Sequence, residues 1–519
     1  MSPIDLEIYW NRLIATIDEA SASLRRTSFS TAVRESNDCA VVLLDQDGRL
    51  VAQASWSVPG FIGTAPLTLR KMLERFPKDT LRPDDILFTN DPWIGTGHLP
   101  DTTMGAPVYF EGRIVAFVVT VAHVSDIGGR QWSADSSEVF EEGIRFPVIK
   151  LLDGGKLNEF AMTMLETNVR LPPQVRGDID AQIVAIHIVT RRLQEMFAEY
   201  GLKDLRDIAT AIHQASRAAA LHEIRKVPPG TYVGEAQTDG WNEPVTIRAT
   251  VTVANERIKV DYSGTSPQVE YGINETFNHT FSFTMLPFKC MFSPHVPNNG
   301  GFTSLFDVHA PEGSVVNAKF PAAVGARHLI GHAIPAAIFD ALAPVLPDRV
   351  QADSGTPMWT VVLRGIDAHR HAVFSTILFF NGGMGAMRDR DGIPAASFPA
   401  NISNTPIEVV ESLAPVLFTA KRLVEGSGGD GARKGGLGQV VALQSRWPGT
   451  IRASLLTERV NIPPKGLLGG KPGKVGHVTK NGSPVAEPKG FLVLKEGDVL
   501  ELQLPGGGGF GEAGSGTTG

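Results

Sequence analysis

The spacing of apolar residues changes several times along the chain, and each change predicts a different element. Between residues 4 and 26, Leu6, Tyr9, Trp10, Leu13, Ile14, Ile17 and Leu24 fall mostly three and four apart, which predicts an amphipathic helix. Two short apolar runs, 39 to 44 and 50 to 52, then flank Asp45-Gln46-Asp47-Gly48, a hairpin whose Asp-Gly supplies the positive φ of the turn. A helical stretch from 66 to 76 leads to a strand near residues 85 to 88. The run from Ile114 to Ala122, after the polar turn Glu111-Gly112-Arg113, reads as a buried strand. Residues 174 to 226 carry the longest helical pattern. It is broken at Gly201, and its apolar spacing is too irregular for a coiled coil, so it predicts an αα-hairpin. From Gly230 the period is two, predicting a β-meander over 231–236, 245–253 and 257–262. A helix follows from 326 to 343 with a kink at Pro335. Strands are expected around 360–363, 372–378, 439–443, 451–456 and 491–494.

These elements describe a large α+β chain of several layers, with mixed sheets, a helical hairpin insertion and a β-rich C-terminal part. The expected divisions are 1–173, 174–229, 230–425 and 426–511, with 512–519 as a flexible tail. Over 519 residues, 42% are apolar and 20% charged, and the net charge of -7 argues against nucleic acid as a partner. No apolar segment approaches the roughly 20 residues that span a bilayer. The first residues lack the basic and apolar regions of a signal peptide, and Cys39 and Cys290 are the only cysteines. A cytoplasmic address with reduced thiols is expected, with Cys39 buried as a small hydrophobe.

Candidate chemistry concentrates in Asn90-Asp91-Pro92-Trp93-Ile94-Gly95-Thr96-Gly97-His98-Leu99-Pro100-Asp101 and in Ala122-His123-Val124-Ser125-Asp126-Ile127-Gly128-Gly129. Histidines and carboxylates on a constrained loop and at a strand end could hold a divalent ion, or could simply cap turns. The spacing is not that of the helical His-Glu-x-x-His motif. Asp38, at the mouth of the first strand, is a further ligand candidate that the fold would have to deliver. His328 and His332, four apart, could share a helix face, but no acid lies within a turn of them. A structural or substrate-facing role is preferred there. His187, His213 and His222 read as solvated or core-satisfied. The polar clusters 274–279 and 297–301 could line a pocket or form turns. The glycine loops 381–386 and 426–431 lack the Lys-Ser/Thr of a phosphate loop, so no ATP site is expected in this chain.

Taken together, Asn-Asp-Pro-x-x-Gly-x-Gly-His-x-x-Asp and Ala-His-x-x-Asp-Ile-Gly-Gly resemble the hydantoinase B/oxoprolinase family. So do Asp38 seven residues before Asp45, Glu142-Gly143-Ile144-Arg145, Ser263-Gly264-Thr265-Ser266-Pro267-Gln268, Pro321-Ala322-Ala323-Val324, Gly435-Gly436-Leu437-Gly438 and Gly469-Gly470-Lys471-Pro472-Gly473. That family includes subunits of ATP-dependent hydantoinases and lactamases, with related chains in ketone carboxylases. The resemblance implies one divalent metal (zinc, manganese or iron) on Asp38, His98, Asp101 and His123, with Asp126 orienting His123 or accepting a proton. It also implies a hetro-oligomer, in which a hydantoinase A-type subunit uses ATP and Mg2+ to phosphorylate the carbonyl oxygen of a cyclic amide. Many relatives carry histidines where this chain has Trp56, Gly60 and Val124. The alternatives are a ketone carboxylase subunit, a non-catalytic scaffold, or a mononuclear iron oxygenase built on two histidines and a carboxylate.

Overall fold

The computed structural model describes residues 2–367, 372–446 and 448–514. The expected flexible tail therefore lies outside the described residues from 515 onward. Seven strands form the first sheet: β1 (Cys39–Asp45), β2 (Leu50–Gln53), β3 (Ile86–Thr89), β4 (Asp101–Phe110), β5 (Arg113–His123), β6 (Ile149–Asp153) and β7 (Lys156–Leu157). Their order is β2-β1-β5-β4-β3-β6-β7. The neighbours run antiparallel.

The strands at the centre are apolar without alternation because both faces of the sheet are covered. Val41, Leu43 and Val118 point into a core shared with helices Pro3–Thr27 and Pro172–Tyr200. Val42, Leu44, Phe117 and Val119 pack on the opposite side against Ala65, Leu69 and Met72 of helix Pro59–Arg75. That helix begins a full two turns before the expected residue 66. An internal proline usually ends a helix, but here the buried positions Phe61, Ile62, Ala65 and Leu69 carry it through Pro66. Two helices occupy the region of the expected hairpin, the first closed by Gly201 at φ +64 and the second running Arg206–Ile224, but the first packs along helix Pro3–Thr27 and the second against Gly300–Thr303, so they are not a pair packed on each other.

The meander forms a second sheet of β8 (Gly230–Thr238), β9 (Val245–Ala254), β10 (Arg257–Asp261) and β11 (Phe306–His309), in the order β11-β10-β9-β8. Helix Ile334–Leu342 lies so close to β8 that a Cβ on Gly234 would stand 2.3 Å from Ala337 O. The single kinked helix expected over 326–343 is instead two, His328–Gly331 and Ile334–Leu342. Pro335 sits in the first turn of the second, where a missing N–H costs no helical bond.

The C-terminal part holds β12 (Trp359–Asp367), β13 (Ala372–Phe380), β14 (Val416–Leu423), β15 (Gln439–Ser445), β16 (Thr450–Leu456), β17 (His477–Lys480), β18 (Ser483–Pro484), β19 (Phe491–Lys495) and β20 (Val499–Gln503). They make two sheets, β13-β12-β16-β19 and β14-β15-β20-β17-β18, which share a core of Trp359, Val361, Leu363, Val441, Leu443 and Leu502. The glycine loops pack backbone on backbone: a Cβ on Gly383 would meet Gly436 O at 1.9 Å, and one on Gly507 would meet Met384 O at 2.1 Å. This close approach accounts for their composition. Among the described residues, no helix is long and apolar enough to cross a membrane.

Candidate metal centre

The pairing of three neighbouring strands brings the predicted residues together. Asp101 opens β4 and stands directly across from His123, the last residue of β5. Cys39 of β1 pairs with Ala122, which leaves Asp38 beside His123, and His123 N donates to Asp38 O at 3.1 Å. His98 lies three residues before Asp101 on a loop pinned by Asn90, whose side chain donates to Leu99 O and Ile144 O and accepts from Phe146 N. Gly97 is required within that loop. Its φ is +100, and a Cβ there would stand 2.7 Å from Arg327 Cδ.

All four side chains are buried, and Asp101 is their hub. Its Oδ2 accepts from Thr96 Oγ1 and from Arg327 Nη2, each at 2.6 Å. Its Oδ1 lies 2.9 Å from both His98 Nε2 and His123 Nδ1. Burial pushes the Asp101 carboxyl up, but the neighbouring His98 and Arg327 and the hydrogen bond from His123 outweigh it and hold the group well below the usual carboxylate range. Asp38, with Oδ2 at 3.8 Å from His123 Nδ1, is driven by burial up to about 7, against the pull of His123.

The tautomers show where a cation fits. His98 Nδ1 faces the carbonyl of Gly325 at 2.9 Å, and a carbonyl can only accept, so Nδ1 carries the proton. Burial, helped by Arg327, lowers the His98 pKa to about 4, so the ring is neutral and Nε2 presents a lone pair. That lone pair confronts the Asp101 carboxylate with no hydrogen bond between them. His123 gives Nδ1–H to Asp101, and its Nε2 is buried without a partner. Two acceptors meeting in a buried site, beside a third unpartnered one, fit a divalent ion. His98, Asp101 and His123 each offer a ligand atom within 4.8 Å of the others.

The same residues line a chamber of about 30 Å3 together with Trp132, His279, His328 and His332. His328 and His332, expected to share a helical face, have ring centroids 5.7 Å apart and form one wall of this chamber. Burial holds both rings neutral, His332 at about 3, and the Nδ1 of each is unpartnered. Two contributors, Trp132 and Arg327, escaped the sequence reading as site residues. Trp132 donates from Nε1 to Gly325 O and sits 4.7 Å from the His123 ring. Arg327 neutralises Asp101. Glu275 holds His279 Nδ1 at 2.7 and 2.8 Å. Both residues of this last pair belong to the polar cluster 274–279, for which pocket lining and turn formation were the two alternatives.

Asp126 is placed differently from its expected role. Its carboxylate accepts from Gly128 N, from Arg170 Nη1 at 2.7 Å and from Arg170 N, while His123 Nδ1 is oriented by Asp101. Asp126→Asn is therefore expected to lower stability by about 1–3 kcal/mol through the loss of the Arg170 pair. Metal content should be unchanged, as urea unfolding combined with elemental analysis would show. Of the remaining histidines, His213 is buried with Nε2 on Leu50 O at 2.7 Å, and His187 and His222 are exposed.

Glu142 supports the site from behind by accepting from Val324 N and Gly325 N at 2.9 and 2.7 Å. Burial raises its pKa from 4.5 to about 8, against those two hydrogen bonds. Its contribution to stability is full below pH 4.5 and is lost as the pH rises through about 8. Glu142→Gln is expected to flatten the decline in unfolding free energy between about pH 4.5 and about pH 8. An unchanged slope would remove Glu142 from this account.

The sequence pattern that defines the hydantoinase B/oxoprolinase family matches residues 2–513. The chain belongs to the hydantoinase B/oxoprolinase family. Within that family it is 30% identical to an uncharacterized protein of Methanocaldococcus jannaschii, over 98% of this chain and 91% of that one. It is 28% identical to the caprolactamase subunit beta of Pseudomonas jessenii, over 86% of this chain and 78% of that one. The crystal structure of the ATP-dependent caprolactamase from Pseudomonas jessenii superposes with a TM-score of 0.91 at 26% identity, over 99% of this chain and 91% of that chain. The hydantoinase B/oxoprolinase fold thus accommodates the whole chain.

Proposed function

We propose that this chain is the metal-bearing subunit of an ATP-dependent enzyme that opens a cyclic amide. Its partner would be a separate hydantoinase A-type subunit that uses ATP and Mg2+ to phosphorylate the carbonyl oxygen. The observation that carries this reading is the 2.9 Å approach of His98 Nε2 to Asp101 Oδ1, two electron-pair donors with no proton between them. The relatives support it: one is named as a caprolactamase subunit, and the caprolactamase structure is described as ATP-dependent. Asp38, His98, Asp101 and His123 would hold one divalent ion, with zinc, manganese and iron all suited to such a donor set. When bound, that ion supplies Lewis-acid activation of water near neutral pH.

The chain's own residues have separable tasks. Thr96 and Arg327 keep Asp101 ionised and oriented, and Gly325 O fixes the His98 tautomer. Glu275 occupies His279 Nδ1, which leaves Nε2 as the free nitrogen on the chamber wall. Burial first, then Arg327, keeps His279 neutral, so it can take a proton from attacking water. Phe61, Phe283 and Met358 restrict the water admitted. In the net reaction water oxygen enters the new carboxylate, the ring C–N bond breaks, the nitrogen takes a proton, and ATP yields ADP and phosphate. We place this activity in the cytoplasm, where the two unpaired cysteines remain reduced.

The test is to purify the chain with its native partner and supply ATP with lactams, hydantoins and ketones, in oxygen-18 water and separately with labelled bicarbonate. Solvent oxygen in a new carboxylate is expected. Carbon label in the product would favour the ketone carboxylase, oxygen consumption the oxygenase, and full turnover without bound metal a scaffold role.

A further inference from the structure

Outside the chamber, helices Pro59–Arg75 and Phe277–Phe292 cross at Gly63, where a Cβ would stand 2.2 Å from Ser282 Oγ. Beyond the crossing they border a cavity of about 480 Å3, closed by the β1–β2 hairpin and by residues 298–304. That volume lies within the ~300–1,000 Å3 typical of small-molecule sites. Ile62, Leu67, Phe281, Met285 and Phe302 give it apolar walls.

The charges in the lining are all of one sign. Arg49, Arg70 and Lys289 line the cavity, and among the described residues no carboxylate does. Arg49 is neutralised by Asp45 at 2.8 Å. Among the described residues, neither Arg70 nor Lys289 has a carboxylate within ion-pair distance. Lys289 Nζ instead donates to Ser293 Oγ at 3.2 Å and to Val296 O, and lies 5.2 Å from the Phe302 ring centroid.

We propose that this cavity binds a small organic acid that has an apolar side chain and one carboxylate. The apolar part fills the space between the two helices, and the carboxylate meets Lys289 and Arg70. The cavity also shares a wall with the chamber. In the turn that opens helix Pro59–Arg75, Pro59 and Ile62 face the cavity while Val58 and Phe61 face the histidines, and Asn401 and Ala400 divide in the same way. The first turn of that helix therefore separates a ligand held there from the chamber.

Calorimetric titration of the full chain with N-acetyl-L-leucine, without ATP or partner, tests the site. Because binding is read without turnover, the outcome is independent of the hydrolytic reading. Binding is expected to weaken about three- to fivefold in Arg70→Ala, an exposed position that leaves the fold intact. It should weaken about tenfold in Lys289→Met and disappear in Met285→Trp, which fills the space, with retained circular dichroism showing that this variant is folded. His98→Ala should bind like wild type. Equal affinity for N-acetyl-L-leucinamide, equal competition by inorganic phosphate, absence of binding, or undiminished binding in Arg70→Ala together with Lys289→Met would each overturn the proposal.

Discussion

Asp101→Ala is expected to abolish metal binding and to cost about 3–5 kcal/mol of stability, because it removes one partner of a buried ion pair. Arg327 is 4% exposed, and its guanidinium would be left facing a hole in the low-dielectric interior. Thr96 Oγ1 and His123 Nδ1 would lose their acceptors in the same step. His98→Ala separates the two effects, since it removes a candidate ligand and leaves the Asp101–Arg327 pair in place. It should lose the ion while keeping most of the stability. Elemental analysis and urea unfolding of both variants decide the matter, and wild-type metal content in either one would break the ligand assignment.

His279→Gln is expected to reduce kcat by roughly 10²–10⁴, the usual contribution of a positioned general base, with metal content unchanged. Gln retains the bulk of the ring and a polar end but cannot accept a proton at neutral pH. Glu275→Gln should have a smaller effect, about tenfold, because it weakens only the group that holds the ring in place. A purely structural histidine would alter stability and leave the pH profile of kcat in its wild-type shape. The proposed base would instead remove the acidic limb of that profile, and added imidazole would partly restore turnover. Unaltered kcat in His279→Gln would sink the assignment.

The legibility of this chain follows the range of the interactions. The hairpin, the meander, the two helices divided at Gly201 and the buried strand β5 were readable because their apolar spacing is local. His98 and Asp101 were readable as a pair because three residues separate them on one constrained loop. Asp38 reaches His123 only because β1 pairs with β5 across more than seventy intervening residues, a register that no local pattern encodes. Arg327 and Glu275 approach Asp101 and His279 from elements whose helical starts are set by packing. Asp126 misled in the opposite direction: its position three residues after His123 suggested a contact, but the chain turns through Gly128 and Gly129 and gives the carboxylate to Arg170.

The walls of the chamber come from stretches of sequence between Asp38 and Ile402, and its four candidate ligands are 1–3% exposed. With so little of the ligand set exposed, exchange of an ion held there is expected to be paced by movement of the surrounding walls more than by the intrinsic lability of the bonds. A chelator added to the folded protein should act slowly, and faster in mild denaturant. If the site is filled as proposed, the ion held by the purified protein is expected to reflect the mineral supply at the moment the last wall closes, more than the equilibrium ranking of affinities.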